Sequence, residues 1–161
     1  MTLGYISIGS NIDRNKNIAS GLKALEREFG KLLISSVYET EPVGFSGAAF
    51  YNLVVGFNSN LDVHTVAQRL RQIEFDHGRT VDSQKFSSRT LDLDLILFGD
   101  LVVNDGSLKI PRDDIERYAF VLEPLAEIAP MQKHPVLQVS YAELWQKMNQ
   151  DNILQKRISW P

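Results

Sequence analysis

Arg89-Thr90-Leu91-Asp92-Leu93-Asp94-Leu95-Ile96-Leu97 places two carboxylates at i and i+2 within an apolar run. Side chains alternate faces along a strand. Asp92 and Asp94 are therefore expected on one face, with Leu91, Leu93, Leu95 and Leu97 on the other, turned into a core. The apolar run continues through Phe98, which suggests a central strand. Two strand positions span roughly 7 Å, and two-metal sites hold their ions about 3.5–4 Å apart. A carboxylate pair at this spacing suits one or two Mg²⁺ ions. Without a cation the pair is costly, because like charges repel and Asp is a poor strand former. A solvated polar face on an edge strand is the bland alternative. The neighbours favour a ligand. Arg89 offers a bidentate fork for phosphate oxygens. Upstream lie Gly78-Arg79 and a polar segment over 80–88 that carries Lys85. Metal, cations and an anionic ligand fit together as a nucleotide phosphate site.

Working outward, the chain reads as a strand over 3–8 closed by Gly9-Ser10-Asn11. Ile18, Leu22, Leu25 and Phe29 then recur at helical spacing, and Gly30 ends that helix. Residues 32–39 read as a second strand. A loop follows over 40–49, and 50–57 is the third strand. Asp62 is placed to cap a second helix whose buried stripe is Val66, Leu70 and Ile73, closed by Gly78. The aspartate strand comes fourth. The order strand, helix, strand, strand, helix, strand is the split βαβ arrangement. The expected class is α+β: a ferredoxin-like βαββαβ core with an added hairpin and C-terminal helices. The hairpin falls near 101–110, broken at Asn104-Asp105-Gly106. A helix is expected over 120–128. Ser140-Tyr141-Ala142-Glu143 is a capping box opening a last helix with Leu144, Trp145 and Met148.

A length of 161 residues suits one domain, 1–161, with room for a proper core. Net charge of −3 and the lack of a basic aromatic strand motif argue against an RNA-binding module on this fold. The absence of cysteine excludes disulfides and thiolate metal sites. The opening residues lack the basic region and long apolar core of a secretory signal, and no apolar run approaches about 20 residues. A cytoplasmic protein is expected, without membrane or nucleic-acid partners. His64, His77 and His134 lack ligand spacing and read as surface residues.

Several segments, in order, resemble the 6-hydroxymethyl-7,8-dihydropterin pyrophosphokinase family. They are Ile8-Gly9-Ser10-Asn11, Tyr38-Glu39-Thr40-Glu41-Pro42-Val43-Gly44 and Phe50-Tyr51-Asn52. Ile73-Glu74 with Gly78-Arg79, the segment from Arg89 to Asp94, and Phe120-Val121-Leu122-Glu123-Pro124-Leu125 continue the match. The resemblance implies transfer of the β,γ-pyrophosphoryl group of ATP to a pterin hydroxymethyl oxygen, with release of AMP. It implies ATP as co-substrate and two Mg²⁺ ions on Asp92 and Asp94; a monomer is expected. Catalytic roles fall to Arg79, Arg89, Asp92 and Asp94. Nucleotide contacts fall to Glu74, Arg79, Lys85, Arg89, Lys109, Arg112, Arg117 and Tyr118. Pterin contacts fall to Thr40, Glu41, Pro42, Val43, Phe50, Asn52, Phe86 and Phe120.

The match fails at points in the catalytic half. Arg112 follows Pro111 where the family usually has histidine. Tyr118 stands where it usually has arginine, with Arg117 one place earlier, about 100° away on a helix. Val81 replaces a loop arginine, Ser87-Ser88 replaces Gly-Pro, and Phe86 lacks an indole donor. Each lost phosphate contact is worth on the order of 1.5–3 kcal/mol if charge-assisted and buried. The residues therefore leave two readings: a divergent working pyrophosphokinase, or a paralogue that binds pterin or nucleotide without efficient transfer.

Overall fold

The computed structural model describes residues 1–42, 47–78, 89–148 and 155–160. In chain order the elements are β1 (Thr2–Ser10), α1 (Arg14–Phe29), β2 (Leu33–Ile34), β3 (Val37–Thr40), β4 (Phe50–Ser59), α2 (Val63–Asp76) and β5 (Asp92–Phe98). There follow β6 (Val103–Asn104), β7 (Lys109–Ile110), α3 (Asp114–Arg117), α4 (Ala119–Ile128), α5 (Tyr141–Lys147) and β8 (Gln155–Ile158).

The main sheet runs β5-β1-β4-β3-β8, with β2 also on β4, and every pairing is antiparallel. Without β2 and β8 this is the ferredoxin-like order of the four core strands. Alternation divides the buried residues between two faces. Ile6, Ile8, Leu53, Val55 and Leu93 pack with Ile18 and Leu25 of α1 and Leu70 of α2. Tyr5, Val54 and Ile96 face the other way, against Val121, Leu122 and Leu125 of α4. Each such aliphatic side chain contributes about 1.5–3 kcal/mol when fully buried.

Local chemistry sets the element ends. The Asp62 side chain accepts from the Thr65 backbone N–H at 3.0 Å, capping α2. Gly30, at φ 81°, ends α1 in a conformation that disfavours any Cβ. Ser140 Oγ accepts from Glu143 N–H at 3.2 Å at the start of α5. The hairpin is β6–β7.

Four expectations need correction. The aspartate strand β5 is an edge of the sheet, not a central strand. Its apolar run is sustained by helices on both faces rather than by a strand on each side. Its alternation also breaks. Tyr5 pairs with Leu97 and Ile6 with Leu95, so Ile96 is an extra bulged residue. Leu91, Leu93 and Leu95 keep the α1–α2 face, but Leu97 joins Tyr5 and Ile96 on the α4 face. The second strand is split into β2 and β3, since Ile34 pairs with Val55 but Tyr38 with Asn52, a shift of one residue. At the break, Ser36 gives its N–H and hydroxyl to the Glu127 carboxylate. Finally, His134 is buried, at 2% exposure. Its Nδ1 accepts from the backbone N–H groups of Val136 and Leu137, both at 3.1 Å. His64 is exposed, and His77 is half-buried between Ile73 O and Ser20 Oγ. The sequence reading also lacked α3 and β8.

Candidate active site

Strand register assembles the floor of one cleft. Asp94 lies opposite Ser7 and Asp92 opposite Gly9 on β1. Gly9 in turn lies opposite Asn52 on β4, and Phe50 opposite Thr40 on β3. Directly paired residues share a face. Asp92, Asp94, Asn52, Phe50 and Thr40 therefore converge, and all line a cleft of about 500 Å³. Both aspartates are half-buried.

Gly9 makes room in this floor. A Cβ built there would lie 2.9 Å from Asn52 Oδ1 and 3.6 Å from a Phe50 ring carbon. Asn52 is 5% exposed, and its Nδ2 donates to Thr40 Oγ1 at 2.6 Å. The Asn52 amide is thus oriented from behind rather than left to rotate. The opposite wall is aromatic. Phe120 and Tyr118 both line the cleft, and their rings stack at 4.9 Å between centroids, 20° apart.

Around the sheet edge, α2 supplies Glu74, only 2% exposed. Its Oε2 accepts from Leu93 N–H at 2.8 Å. That N–H lies between the two aspartates on the unpaired side of the edge strand. The glutamate therefore satisfies a donor that the sheet leaves open. Arg71 Nε is 3.9 Å from the other Glu74 oxygen.

Arg89 is buried and lines the cleft. Its carbonyl accepts from Asn11 and Ile12 N–H, and its own N–H donates to Asn11 Oδ1 at 2.7 Å. The same Asn11 reaches Ala48 O through Nδ2 at 3.0 Å, tying Arg89 to the loop after β3.

Arg112 also enters the cleft, its backbone N–H bonded to Ile96 O on β5. Burial opposes the guanidinium charge, but Asp94, Asp114 and Asp92 outweigh it and raise the pKa above the ordinary arginine value. Nη2 lies 3.5 Å from Asp114, and Nε is buried with no hydrogen-bond partner among the described residues.

Of the expected site residues, Glu74, Arg89, Asp92, Asp94, Arg112, Tyr118, Thr40, Glu41, Phe50, Asn52 and Phe120 line this cleft. Lys109, Arg117 and Pro42 do not. Lys109 pairs instead with Asp113 at 3.0 Å, and Arg117 is exposed. Arg79, Lys85, Phe86 and Val43, with Val81, Ser87 and Ser88, lie outside the described residues. Sequence reading missed Gly9, Arg71 and Asp114. Arg71 was accessible in principle, because it precedes Glu74 by three places and shares its helix face.

Fold and cleft together define an α+β protein of the ferredoxin-like type with a carboxylate pair in a pocket at one sheet edge. The model of the family described as 7,8-dihydro-6-hydroxymethylpterin-pyrophosphokinase (HPPK) matches residues 5–130, and the chain belongs to that family. A Pseudomonas aeruginosa 2-amino-4-hydroxy-6-hydroxymethyldihydropteridine pyrophosphokinase is 35% identical over 130 residues, covering 78% of this chain and 80% of its own. The Dictyostelium discoideum folic acid synthesis protein FOL1 is 33% identical over 138 residues, covering 84% of this chain. The chain spans only 21% of that longer relative. Among solved structures, an HPPK-DHPS in complex with substrates superposes with a TM-score of 0.75 at 14% identity, over 97% of this chain and 46% of its own. Wild-type Plasmodium falciparum HPPK-DHPS gives 0.70 at 16% identity, over 91% and 43%. At such identities the structural likeness speaks for the fold alone.

Proposed function

We propose that this chain moves the β,γ-pyrophosphoryl group of ATP onto the hydroxymethyl oxygen of 6-hydroxymethyl-7,8-dihydropterin, a step of folate biosynthesis. The hydroxymethyl oxygen bonds to the β-phosphorus and loses its proton. The bond from that phosphorus to the α–β bridging oxygen breaks, and AMP leaves. The observation that carries the reading is the pairing of Asp92 with Gly9 and of Gly9 with Asn52. It sets a metal-binding carboxylate pair and a ring-edge amide on one floor.

The donor set suits Mg²⁺. Both aspartates offer hard oxygens, and no group of three or more metal-ligating side chains occurs among the described residues. Mg²⁺ is commonly bound by one or two carboxylates with substrate phosphates and water completing the shell. Asp92 and Asp94 would hold two such ions. When bound, Mg²⁺ neutralises polyphosphate charge and makes the attacking hydroxyl more acidic.

The protein's own groups do the rest. Arg112 and Arg89 meet phosphate oxygens, where fixed cations stabilise the charge spread in the transition state. Phe120, beside Tyr118, and Phe50 give flat apolar surface to the ring. Asn52 and Thr40 present donors and acceptors to its edge. Glu74 holds the edge strand on which both aspartates are carried. On this reading the chain acts as a monomer.

The test is AMP release from ATP, Mg²⁺ and the hydroxymethyl-dihydropterin. Turnover is expected in the wild type. It should be lost in Asp92→Ala and in Asp94→Ala, with circular dichroism unchanged, and lost on chelation with EDTA. Pterin binding without any AMP would establish the binding paralogue instead. Retained Mg²⁺-dependent turnover in both alanine variants would end the metal assignment.

A further inference from the structure

β8 lies outside the βαββαβ core and closes the sheet beyond β3. In that ladder Gln155 stands opposite Thr40 and Arg157 opposite Tyr38. Residues 155 and 157 share a strand face, roughly 7 Å apart. Glu123 and Glu127 lie one turn apart on α4, roughly 6 Å along its axis. The two spacings match, and the side chains meet as two rungs. Gln155 Nε2 donates to Glu123 Oε1 at 2.7 Å and to Ala119 O at 3.1 Å. Arg157 Nη2 donates to Tyr38 OH at 3.0 Å and lies 3.7 Å from Glu127 Oε1. Tyr38 OH donates to the same carboxylate at 2.9 Å.

The rungs sit at different distances from the cleft. Ala119 is the first residue of α4, between Tyr118 and Phe120, which form the aromatic wall. Thr40, opposite Gln155, lies on the cleft floor and orients Asn52. Gln155 therefore ties the start of the aromatic wall to the strand pair that carries Thr40, and does not itself line the cleft. The Arg157 rung grips the later part of α4; Tyr38 pairs with Asn52, but none of Tyr38, Glu127 and Arg157 lines the cleft.

We propose that Gln155 is a positioning residue. It fastens the first turn of α4 to the end of β3 and so sets the gap into which the pterin ring enters. This rests on the pterin reading above. It assigns to the C-terminal strand a task in substrate affinity that the arginine rung does not share.

Gln155→Leu removes both donations while keeping a side chain of similar length. The Michaelis constant for the pterin should rise on the order of three- to tenfold, the effect of one or two ordinary hydrogen bonds. The constant for ATP and kcat should stay within about twofold. Gln155→Lys restores a donor to both acceptors and should return the pterin constant toward wild type. Arg157→Leu is the control, expected to lower thermal stability without moving the pterin constant. Amide exchange gives a readout independent of turnover. Val121 and Leu122 donate to Tyr118 O in the first turn of α4, and both should exchange faster in Gln155→Leu but not in Arg157→Leu. An unchanged pterin constant, a parallel rise for ATP, or an equal rise in Arg157→Leu would overturn the proposal. A wild type that neither releases AMP nor binds the pterin overturns the pterin reading itself. The exchange comparison then still decides whether Gln155 holds the turn.

Discussion

Gly9→Ala adds a single carbon to the floor of the cleft, and its consequence follows from one contact. The new Cβ would stand 2.9 Å from Asn52 Oδ1, where an ordinary contact begins at 3.4 Å. The amide must retreat by about 0.5 Å, and it is held by a 2.6 Å bond to Thr40. Pushing a side chain off its rotamer costs about 0.5–1.5 kcal/mol. Against this, replacing glycine by alanine stabilises by about 0.4–1 kcal/mol through the unfolded chain. Gly9 has no positive φ, so the backbone accepts alanine. The two terms nearly cancel, and the urea midpoint should move little. Binding is another matter. A displaced Asn52 loses a ring-edge hydrogen bond worth about 1–1.5 kcal/mol, close to tenfold in pterin affinity. Pterin fluorescence titration, with equilibrium unfolding alongside, reads both quantities. Wild-type pterin affinity in a folded Gly9→Ala protein would refute the placement of Asn52 at the ring. A large loss of stability would instead show the floor to be rigid throughout.

Two further outcomes follow from buried ionisable groups. Glu74→Leu leaves the Leu93 N–H without its carboxylate and should destabilise by about 1.5–3 kcal/mol. Glu74→Gln, which keeps an acceptor, should lose less; equal losses in urea unfolding would show that the Leu93 bond is not what matters. Burial lowers the pKa of His134 below its usual 6.5, partly offset by Glu116. Nδ1 already accepts two backbone bonds, so protonation there would break them. The folded state therefore resists the proton. Its contribution to stability is complete above pH 6.5 and declines as the pH falls below that value. His134→Asn, which keeps an acceptor and does not titrate, should flatten the urea-midpoint profile below pH 6.5 relative to wild type. Parallel profiles would refute the assignment.

The fold was legible where local and long-range signals agree. Asp62 capped its helix, and the stripe of Val66, Leu70 and Ile73 is buried as its spacing requires. The failures have physical causes. A bulge leaves no mark in composition, because Ile96 and Leu97 are equally apolar on either face. The break between β2 and β3 falls at Ser35-Ser36, where paired serines signal a turn no more strongly than a bulge. β8 reads Gln-Lys-Arg-Ile, and only its partners make it a strand. Composition does not separate the two sheet positions, because an edge strand covered by helices on both faces is as apolar as a central one. The Asp92–Asp94 pair was legible because period-two alternation alone sets it. Gly9 was not, since its role depends on strands β1 and β4 being in register.

The edge position of β5 shapes the cleft. A central β5 would have had a neighbouring strand on either side, and its cleft would have been confined to one face. At the edge, the cleft draws on both. Asp92, Asp94 and Val121 line it from the α4 side, and Leu70, Glu74, Leu93 and Leu95 from the α2 side. The hairpin turn adds Ser107 and Leu108. On the proposed reading, the ring at Asn52 and the polyphosphate would meet across this strand edge, at the carboxylate pair. An extended polyphosphate suits such a passage. The cost of the arrangement is an unpaired N–H at Leu93, and Glu74 meets it. On this argument Glu74 acts first on the strand and only through it on the ligand. Its glutamine variant should accordingly retain Mg²⁺-dependent turnover while its leucine variant loses it. Loss of Mg²⁺-dependent turnover in both, with the fold intact, would instead place the carboxylate charge itself in the chemistry.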